Sequence, residues 1–422
     1  MASPVGADMT HTTLDVESIQ GRTVRTLASS QVLGGVAVAG SIPAGALIAA
    51  GVSGSEAIAG LAQTFGVVGA AVFALPLARR ALTRGRRAAL SLGYALGAFG
   101  AAVVIVGAAT RSIALVLLGC LFAGVASASG YQARYAATDL ATPDRRARSL
   151  SIVVWAATIG AVLGPNLLNA SGLLALHLGL PQLSGPYLVA AVCLGGAAVL
   201  LLVFLRPDPY LVSLHARAHV GAPHPKLRAG LEHIRRHPRA ILGITTIAIG
   251  HVAMVMVMVM TPVHMAHVDV TLQMIGLVIS VHVAGMYAFS PVVGWAVDRF
   301  GRIPIVGVGI AILLLACLIS GFAPANSALI LGTGLLLLGL GWSCTLIAGS
   351  TLITDAVGPE ERPAVQGLSD LVMNVAGAVG GAVAGLIVYF GSYGLLCAVA
   401  ALPVIVLAVL TLRMTAKTQS AP

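Results

Sequence analysis

One stretch of this chain places thioether and imidazole side chains in an otherwise apolar segment. It reads HVAMVMVMVMTPVHMAH and contains five methionines and three histidines. Along a helix, residues three or four positions apart share one face, so His251, Met254 and Met258 would form one stripe. Met256 and Met260 would form a second stripe on another face. Neutral sulfur and imidazole donors arranged in this way are suited to binding a soft metal ion.

A second segment carries the same two side-chain types. His282 and Met286 are about one helical turn apart. If the two segments are antiparallel helices, Met254 and His282 lie at the same depth. Thioethers favour Cu(I) and imidazole binds copper in both oxidation states, whereas Mg²⁺ would require carboxylates, which both segments lack. A two-helix site that combines an M-x-x-x-M pair, such as Met254 and Met258, with His282 and Met286 is therefore chemically suited to copper.

The other methionines and histidines of the first segment are additional candidate ligands. Methionine is also a flexible filler of apolar cores, and for any one of them packing is the competing interpretation. The chain's five cysteines stand on different apolar segments without a CxxC pair, which is typical of buried packing residues. The additional candidates are His251, Met256, Met260, His264, Met265 and His267, of which the last three would lie at the outer mouth.

The composition places these segments in a membrane. Hydrophobic residues make up 58% of the chain and charged residues 9%, against roughly 25% charged residues in a soluble domain. Residues 1–28 are polar and lack the apolar core of a cleavable signal peptide. Twelve segments of near-spanning length are predicted: 29–52, 55–77, 88–110, 112–133, 150–170, 186–205, 240–262, 273–296, 304–323, 328–352, 367–390 and 393–413.

The placement of positive charge predicts the topology. With both termini on one side, all 24 lysines and arginines except Arg111 fall on that side. Since positive charge concentrates in cytoplasmic loops, we expect cytoplasmic termini in a multi-pass protein of the inner membrane. The net charge of +10 is therefore a topological signal and does not indicate a nucleic-acid partner.

The two halves of the chain repeat with a constant offset of 216 residues. RGRRAALSLG lies over FGRIPIVGVG, and TDLATP lies over TDAVGP. A duplicated six-helix unit is therefore predicted, with a binding site between the halves. The expected parts are a tail (1–28), a six-helix bundle (29–205), a cytoplasmic central loop (206–239), a second six-helix bundle (240–413) and a tail (414–422).

A loop motif carries a resemblance to a known family. GWAVDRFGR, residues 294–302, resembles the G-x-x-x-D-R-x-G-R loop signature of the major facilitator superfamily. The resemblance implies an all-α integral membrane fold of twelve helices in two pseudo-symmetric bundles. It also implies gating roles, in which an acid contacts the end of a neighbouring helix. The residues that would inherit these roles are Gly294, Asp298, Arg299, Gly301 and Arg302.

The first-half copy of this loop departs from the signature. The acidic position is Leu82 and the leading glycine is Ala78, while the basic part RGRR is retained. We therefore expect one of the two cytoplasmic gating contacts, the one at this first-half loop, to be weak. Acidic residues also lie only in tails, loops or span ends, as with Glu56 and Asp370, so no carboxylate relay and no arginine or lysine is expected at the midplane of the spans.

The two metal-binding patterns resemble a narrower group. M-x-x-x-M in the seventh span and H-x-x-x-M in the eighth are similar to the motifs of CcoA-type copper importers in the same superfamily. That resemblance implies that Met254, Met258, His282 and Met286 are the metal ligands of a carrier, not an enzyme, which imports copper for cbb3-type cytochrome oxidase assembly. We expect the carrier to be monomeric. Copper would be the transported substrate and no resident cofactor is expected. The implied partners are the bilayer and a cytoplasmic copper chaperone.

Two alternatives remain open at this point. Carriers resembling CcoA include riboflavin transporters, so the cargo could be a neutral organic solute such as riboflavin or a drug. Polar residues of the first half could line a cavity for it, namely Gln31, Gln63, Tyr131, Gln132, Asn166 and Asn169. A membrane metal sensor is the third class, and the intact gating motif argues against it.

Overall fold

The computed structural model describes residues 5–53, 56–215, 234, 237–266 and 272–419. All regular structure in those residues is helical. The helices, numbered in chain order, are α1 (Val5–Ser53), α2 (Glu56–Ala109), α3 (Ile113–Ala136), α4 (Arg146–Asn166), α5 (Leu168–His177), α6 (Gly185–Phe204), α7 (Pro209–His215), α8 (Pro238–Ala266), α9 (Leu272–Tyr287), α10 (Ser290–Phe300), α11 (Arg302–Phe322), α12 (Ala328–Ala356), α13 (Arg362–Phe390) and α14 (Tyr393–Gln419).

Ten segments of the described chain are long and apolar enough to cross a membrane. One of them, Leu61–Ala109, has 49 residues, which suffices for two crossings because one crossing needs about 20 residues. The helix α2 is divided into these two arms at Gly85. The helices α9 and α10 together form one crossing, and α1 contains the predicted first span. The fold is the expected all-α membrane architecture of two six-helix bundles.

Several boundaries differ from the sequence-based expectation. Residues 5–28, expected as part of a tail, belong to α1. This part of the helix is held by packing, because Ile19, Thr23 and Leu27 recur every four residues and are buried. The short helix α5 follows α4, and α7 lies in the segment expected as a loop. The last helix continues to Gln419 instead of ending at residue 413.

The two bundles meet on one side of the molecule. There α2 packs against α13, and α4 packs against α10. We call this the linker side, because it carries the turns at Gly85 and Gly301 and the segment that joins the halves. Most of each bundle packs on its own hydrophobic core, and Ala147, Leu150 and Val154 of α4 join the core of the second bundle where the halves meet.

The structure confirms the internal repeat in the backbone conformation and the ion pairs of matched residues. Gly85 and Gly301, 216 residues apart, both have positive φ, 85° and 96°, a conformation that costs glycine nothing. The Nε of the following arginine then binds a carboxylate in each half. Arg86 binds Asp139 at 2.8 Å, and Arg302 binds Asp355 at 2.8 Å. These two pairs are also related by the offset of 216.

Candidate functional site

A cavity of about 410 Å³ lies between the two bundles. Its lining includes residues toward the helix ends that are farthest from the linker side, such as Gly45 on α1, Tyr187 on α6 and Met258 on α8. On the linker side the halves are in contact. The cavity therefore belongs to the opposite side of the molecule, and its volume falls in the range of small-molecule sites.

Three methionine residues line this cavity from two helices. Met254 and Met258 belong to α8, and Met286 belongs to α9. Met256 is buried and its Cγ packs against Gly380 of α13, while Met260 packs on the core of the second bundle. Of the two stripes on the seventh span, the one that begins at His251 faces the cavity.

The fourth predicted ligand, His282, does not line the cavity. Its ring is fully buried, and its Nδ1 lies 2.8 Å from the carbonyl oxygen of Leu335 on α12. Because a carbonyl only accepts, Nδ1 carries the proton and Nε2 presents a lone pair. That Nε2 has no hydrogen-bond partner within the described part of the chain. The structure thus brings together three of the four predicted ligands, with His282 one turn away from Met286.

The additional candidates are dispersed. His251 lines the cavity, and its Nδ1 accepts from the indole Nε1–H of Trp342 at 3.1 Å. His264 stacks on Tyr393 with ring centroids 4.2 Å apart. Met265 is fully buried in the core of the second bundle. His267 lies outside the described residues. Among those described, no cluster of three His, Cys, Asp or Glu side chains could hold a metal.

The rest of the cavity wall is uncharged and consists mostly of small and aliphatic residues, with several aromatic rings and amides among them. Tyr131, Tyr187, Tyr287 and Trp342 contribute rings, and the amides come from residues including Gln63 and Asn374. A smaller cavity of about 140 Å³ shares part of this wall and extends it to Gln31 and Tyr94. Gln132 instead donates to the Ala74 carbonyl, and the side chains of Asn166 and Asn169 lie outside the described set.

A buried ion pair joins the two bundles near the linker side, with Arg134 in the last turn of α3. Arg134 Nη2 donates to Asp370 Oδ1 at 2.7 Å, with both side chains almost fully buried. The pair joins α3 of the first bundle to α13 of the second. Asp370 was assigned to a span end, yet it lies two turns inside α13. The repeat shows that the pair is local to this site, because its counterparts at the offset of 216 are Ser350 and Val154.

The acid of the loop motif caps a helix of the other bundle. Asp298 accepts from the backbone N–H groups of Ala147 at 3.2 Å and Arg148 at 2.8 Å, in the first turn of α4. A carboxylate is favoured there by the unpaired N–H groups and the helix dipole. We call this contact the latch. It fastens α10 of the second bundle to α4 of the first.

The other motif residues surround the latch. Arg302 donates to Asp355 at 2.8 Å and to the Pro143 carbonyl at 2.5 Å, so it also bridges the halves. Arg299 is exposed. A side chain on Gly294 would come within 2.6 Å of the Ser151 Cβ, so only glycine permits this close approach of α10 to α4.

The pseudo-symmetric interface between α2 and α13 has a different construction. Leu82, at the position of Asp298, packs with Tyr210 and Ala364. Ala78 takes the place of Gly294, but Gly367 faces it, and a side chain on Gly367 would collide with the Ala78 Cβ. The glycine has therefore moved to the opposite helix, and the close approach of the two bundles is retained.

Comparison with known proteins agrees with this architecture. The family model described as Major Facilitator Superfamily matches residues 27–269 and 247–422. The uncharacterised MFS-type transporter YdeG of Bacillus subtilis (strain 168) is 40% identical over 378 residues, covering 89% of this chain and 88% of that protein. The riboflavin transporter RfnT of Brucella anthropi is 29% identical over 356 residues, covering 83% of this chain and 85% of that protein.

Solved structures share the fold at low sequence identity. A bacterial homologue of the iron transporter ferroportin, in an outward-facing state, aligns with a TM-score of 0.73 and 14% identity, covering 93% of this chain and 99% of that one. The transporter FucP in the outward conformation aligns with a TM-score of 0.68 and 17% identity, covering 92% and 98%. From the whole-length family match, the duplicated six-helix bundles and the motif at residues 294–302, this chain belongs to the major facilitator superfamily of membrane transporters.

Proposed function

We propose that this transporter imports copper by alternating access, through a site on its seventh and eighth spans. The observation that carries the proposal is the state of His282. A buried polar atom without a partner is rare in proteins and calls for an explanation. The Nδ1–H bond to Leu335 fixes the tautomer that leaves Nε2 free, which is the arrangement that metal-binding histidines adopt.

The neighbouring sulfurs support the same cargo. Met286 lies one turn from His282 on α9 and lines the cavity with Met254 and Met258 of α8. Thioethers favour Cu(I) and hold it less tightly than thiolates, which suits a site that must release its ion. Rotation of α9 about its axis would bring His282 to the same wall. In this proposal the ligands assemble as the transporter changes conformation.

The proposed direction follows from topology and charge. Cytoplasmic termini and an inner-membrane location would put the cavity on the outer face and the closed linker side toward the cytoplasm. Copper would then enter from outside and leave where the two halves now touch. A cytoplasmic copper chaperone as acceptor and delivery for cbb3-type oxidase assembly are part of the proposal carried by the resemblance to CcoA-type importers.

Uptake of radioactive copper by cells that express this chain tests the proposal. The substitutions Met254→Leu and Met286→Leu remove sulfur with little change in volume. They should reduce copper uptake at least about tenfold. Met256→Leu is the matched control, since Met256 lies on the same helix but packs against α13, and it should retain uptake. Absence of copper uptake by the unaltered chain would refute the proposal.

Import of a flavin-like organic solute is the second candidate. It is favoured by the volume of the cavity and by its tyrosine, tryptophan and amide lining, which suits an uncharged aromatic molecule. The relative RfnT is named as a riboflavin transporter. Uptake of radiolabelled riboflavin by the same cells separates the two proposals. A flavin carrier should accumulate riboflavin in the Met254→Leu variant but lose uptake in Trp342→Leu.

A further inference from the structure

The segment at residues 208–215 begins the connection between the halves and lies against both of them. We call it the brace. Asp208 attaches it to the first bundle, because its carboxylate accepts from the backbone N–H of Arg87 at 2.7 Å. The same carboxylate starts α7 by accepting from the N–H groups of Tyr210 at 3.0 Å and Leu211 at 3.3 Å.

Tyr210 carries the brace across to the second bundle. Its side chain is fully buried, and its hydroxyl donates to the carbonyl of Glu360 at 3.3 Å, just before α13. Its ring packs with Leu82 of α2 and Ala364 of α13, and the guanidinium of Arg86 lies 5.8 Å from the ring centroid. One residue therefore contacts both halves at the position where they meet.

The brace occupies the place where the repeat would put a second latch. The counterpart of Asp298 is Leu82, which cannot accept a hydrogen bond. The counterpart of Ala147 is Pro363, in the first turn of α13, which has no N–H to donate. The acid and one of the two N–H donors of the latch contact are thus absent at the α2–α13 interface, where Ala364 stands at the position of the second donor, Arg148.

The first-half turn is covered by the brace, whereas its counterpart is open. A side chain on Gly85 would collide with the carboxylate of Asp208. A side chain on Gly301 would meet only the Pro304 ring, at 3.7 Å. Asp208 therefore covers the Gly85 turn with a carboxylate that attaches the brace to the first bundle.

We infer that the brace is a gating element that replaces the missing latch and holds the linker side closed. Opening of the linker side separates α2 from α13. Tyr210 must then lose its contacts either with Glu360 and Ala364 of the second bundle or with Leu82 of the first bundle. Asp208 keeps the brace on the first bundle throughout, and Tyr210 is the contact that breaks. Asp208 acts as a positioning residue, since it places Tyr210 without contacting the second bundle itself.

The test measures opening of the linker side and does not depend on the cargo. Ser369→Cys provides a reporter thiol on α13, because Ser369 is fully buried between the halves near Tyr135. The five native cysteines are first replaced by serine or alanine. The rate at which a bulky maleimide labels the purified protein in lipid nanodiscs then reports the fraction of time that the halves are apart.

Tyr210→Phe removes only the hydroxyl and keeps the packing, so it should raise the labelling rate about twofold to tenfold, the effect of one lost hydrogen bond on an equilibrium. Asp208→Asn should raise it as well. Asp298→Asn is the positive control for a broken latch. Glu17→Gln changes an exposed acid that pairs with Arg145 within the first half and should leave labelling unaltered.

Equal labelling of Tyr210→Phe and the parent protein, with faster labelling of Asp298→Asn, would overturn the inference. Faster labelling accompanied by a broadened or lowered thermal transition in Tyr210→Phe would assign the effect to general destabilisation and would also overturn it. Retention of copper or riboflavin uptake has no bearing on either outcome.

Discussion

At the scale of single residues, the least expected feature is the ion pair of Arg134 and Asp370. Two charges in a span are costly unless they compensate each other, and here they do so across the interface between the bundles. Among the described residues, two atoms of the pair have no hydrogen-bond partner: Oδ2 of Asp370 and Nε of Arg134. The pair is thus incompletely satisfied in this state.

Replacement of one partner of this ion pair should destabilise the protein much more than replacement of both partners. Asp370→Leu leaves a guanidinium that cannot lose its proton, and should destabilise the protein by about 3–5 kcal/mol. Arg134→Met should cost less, because a lone carboxyl can neutralise itself by taking up a proton. The double variant should recover most of the stability. Thermal unfolding of the parent protein, the two single variants and the double variant in one detergent measures these stabilities. A loss of stability in the double variant equal to the sum of the two single losses would contradict the prediction.

At the scale of helices, the α4–α10 and α2–α13 interfaces both allow close approach of two helices, but the glycine lies on the opposite member of the repeat-related pair. On one side Gly294 of α10 faces Ser151 of α4, and on the other Ala78 of α2 faces Gly367 of α13. Each pair places one glycine opposite one small side chain. Small residues are what allow close approach of helices in a bilayer, and the chain needs only one glycine per contact.

This reciprocity predicts a compensating exchange. Gly294→Ala should separate α10 from α4 and destabilise the closed linker side by about 1–3 kcal/mol, a typical cost of overpacking. Ser151→Gly in the same chain should reverse part of the effect, because it removes the collision with Ser151 but leaves the Ala147 carbonyl oxygen 2.8 Å from the new Cβ. Labelling of the Ser369→Cys reporter measures both steps. A double variant that labels as fast as Gly294→Ala alone would refute the explanation.

At the scale of the whole molecule, contacts and space are divided between the two sides. The linker side holds the latch, the brace, the Arg134–Asp370 pair and the bond from Arg86 Nη2 to Gln366 across the halves at 2.5 Å. The cavity lies beyond them, toward the other side. The structure is therefore one end state of a cycle in which two rigid bundles rock about a central site.

The orientation of that state can be measured in intact cells. Gln63 lines the cavity and is exposed, whereas Ser369 is buried on the linker side. With cytoplasmic termini, a membrane-impermeant maleimide added outside should label Gln63→Cys and spare Ser369→Cys. The reverse pattern would place the termini outside the cytoplasm. Labelling of neither until the cells are opened would mean that the cavity does not face the medium.

Much of this protein was determined by local sequence. Hydrophobic runs of spanning length predicted the helices, because backbone groups in a bilayer have no other way to be satisfied. The offset of 216 predicted the paired loops, including Gly85 and Gly301. Helical periodicity placed Met254 and Met258 on one face, and the loop motif identified Asp298.

Tertiary structure decided what depends on contacts between distant parts of the chain. Asp370 looked like the end of a span until α3 brought Arg134 to it, 236 residues away in sequence. His282 and Met254 share a depth, but depth leaves the rotation of each helix undetermined, and packing turned His282 toward α12. Leu82 predicted a weak latch, yet Asp208 and Tyr210 fill that place from a segment that no periodicity links to it. Sequence periodicity reports the face and depth of a residue within one helix, whereas the partner of that residue is set by how whole bundles pack.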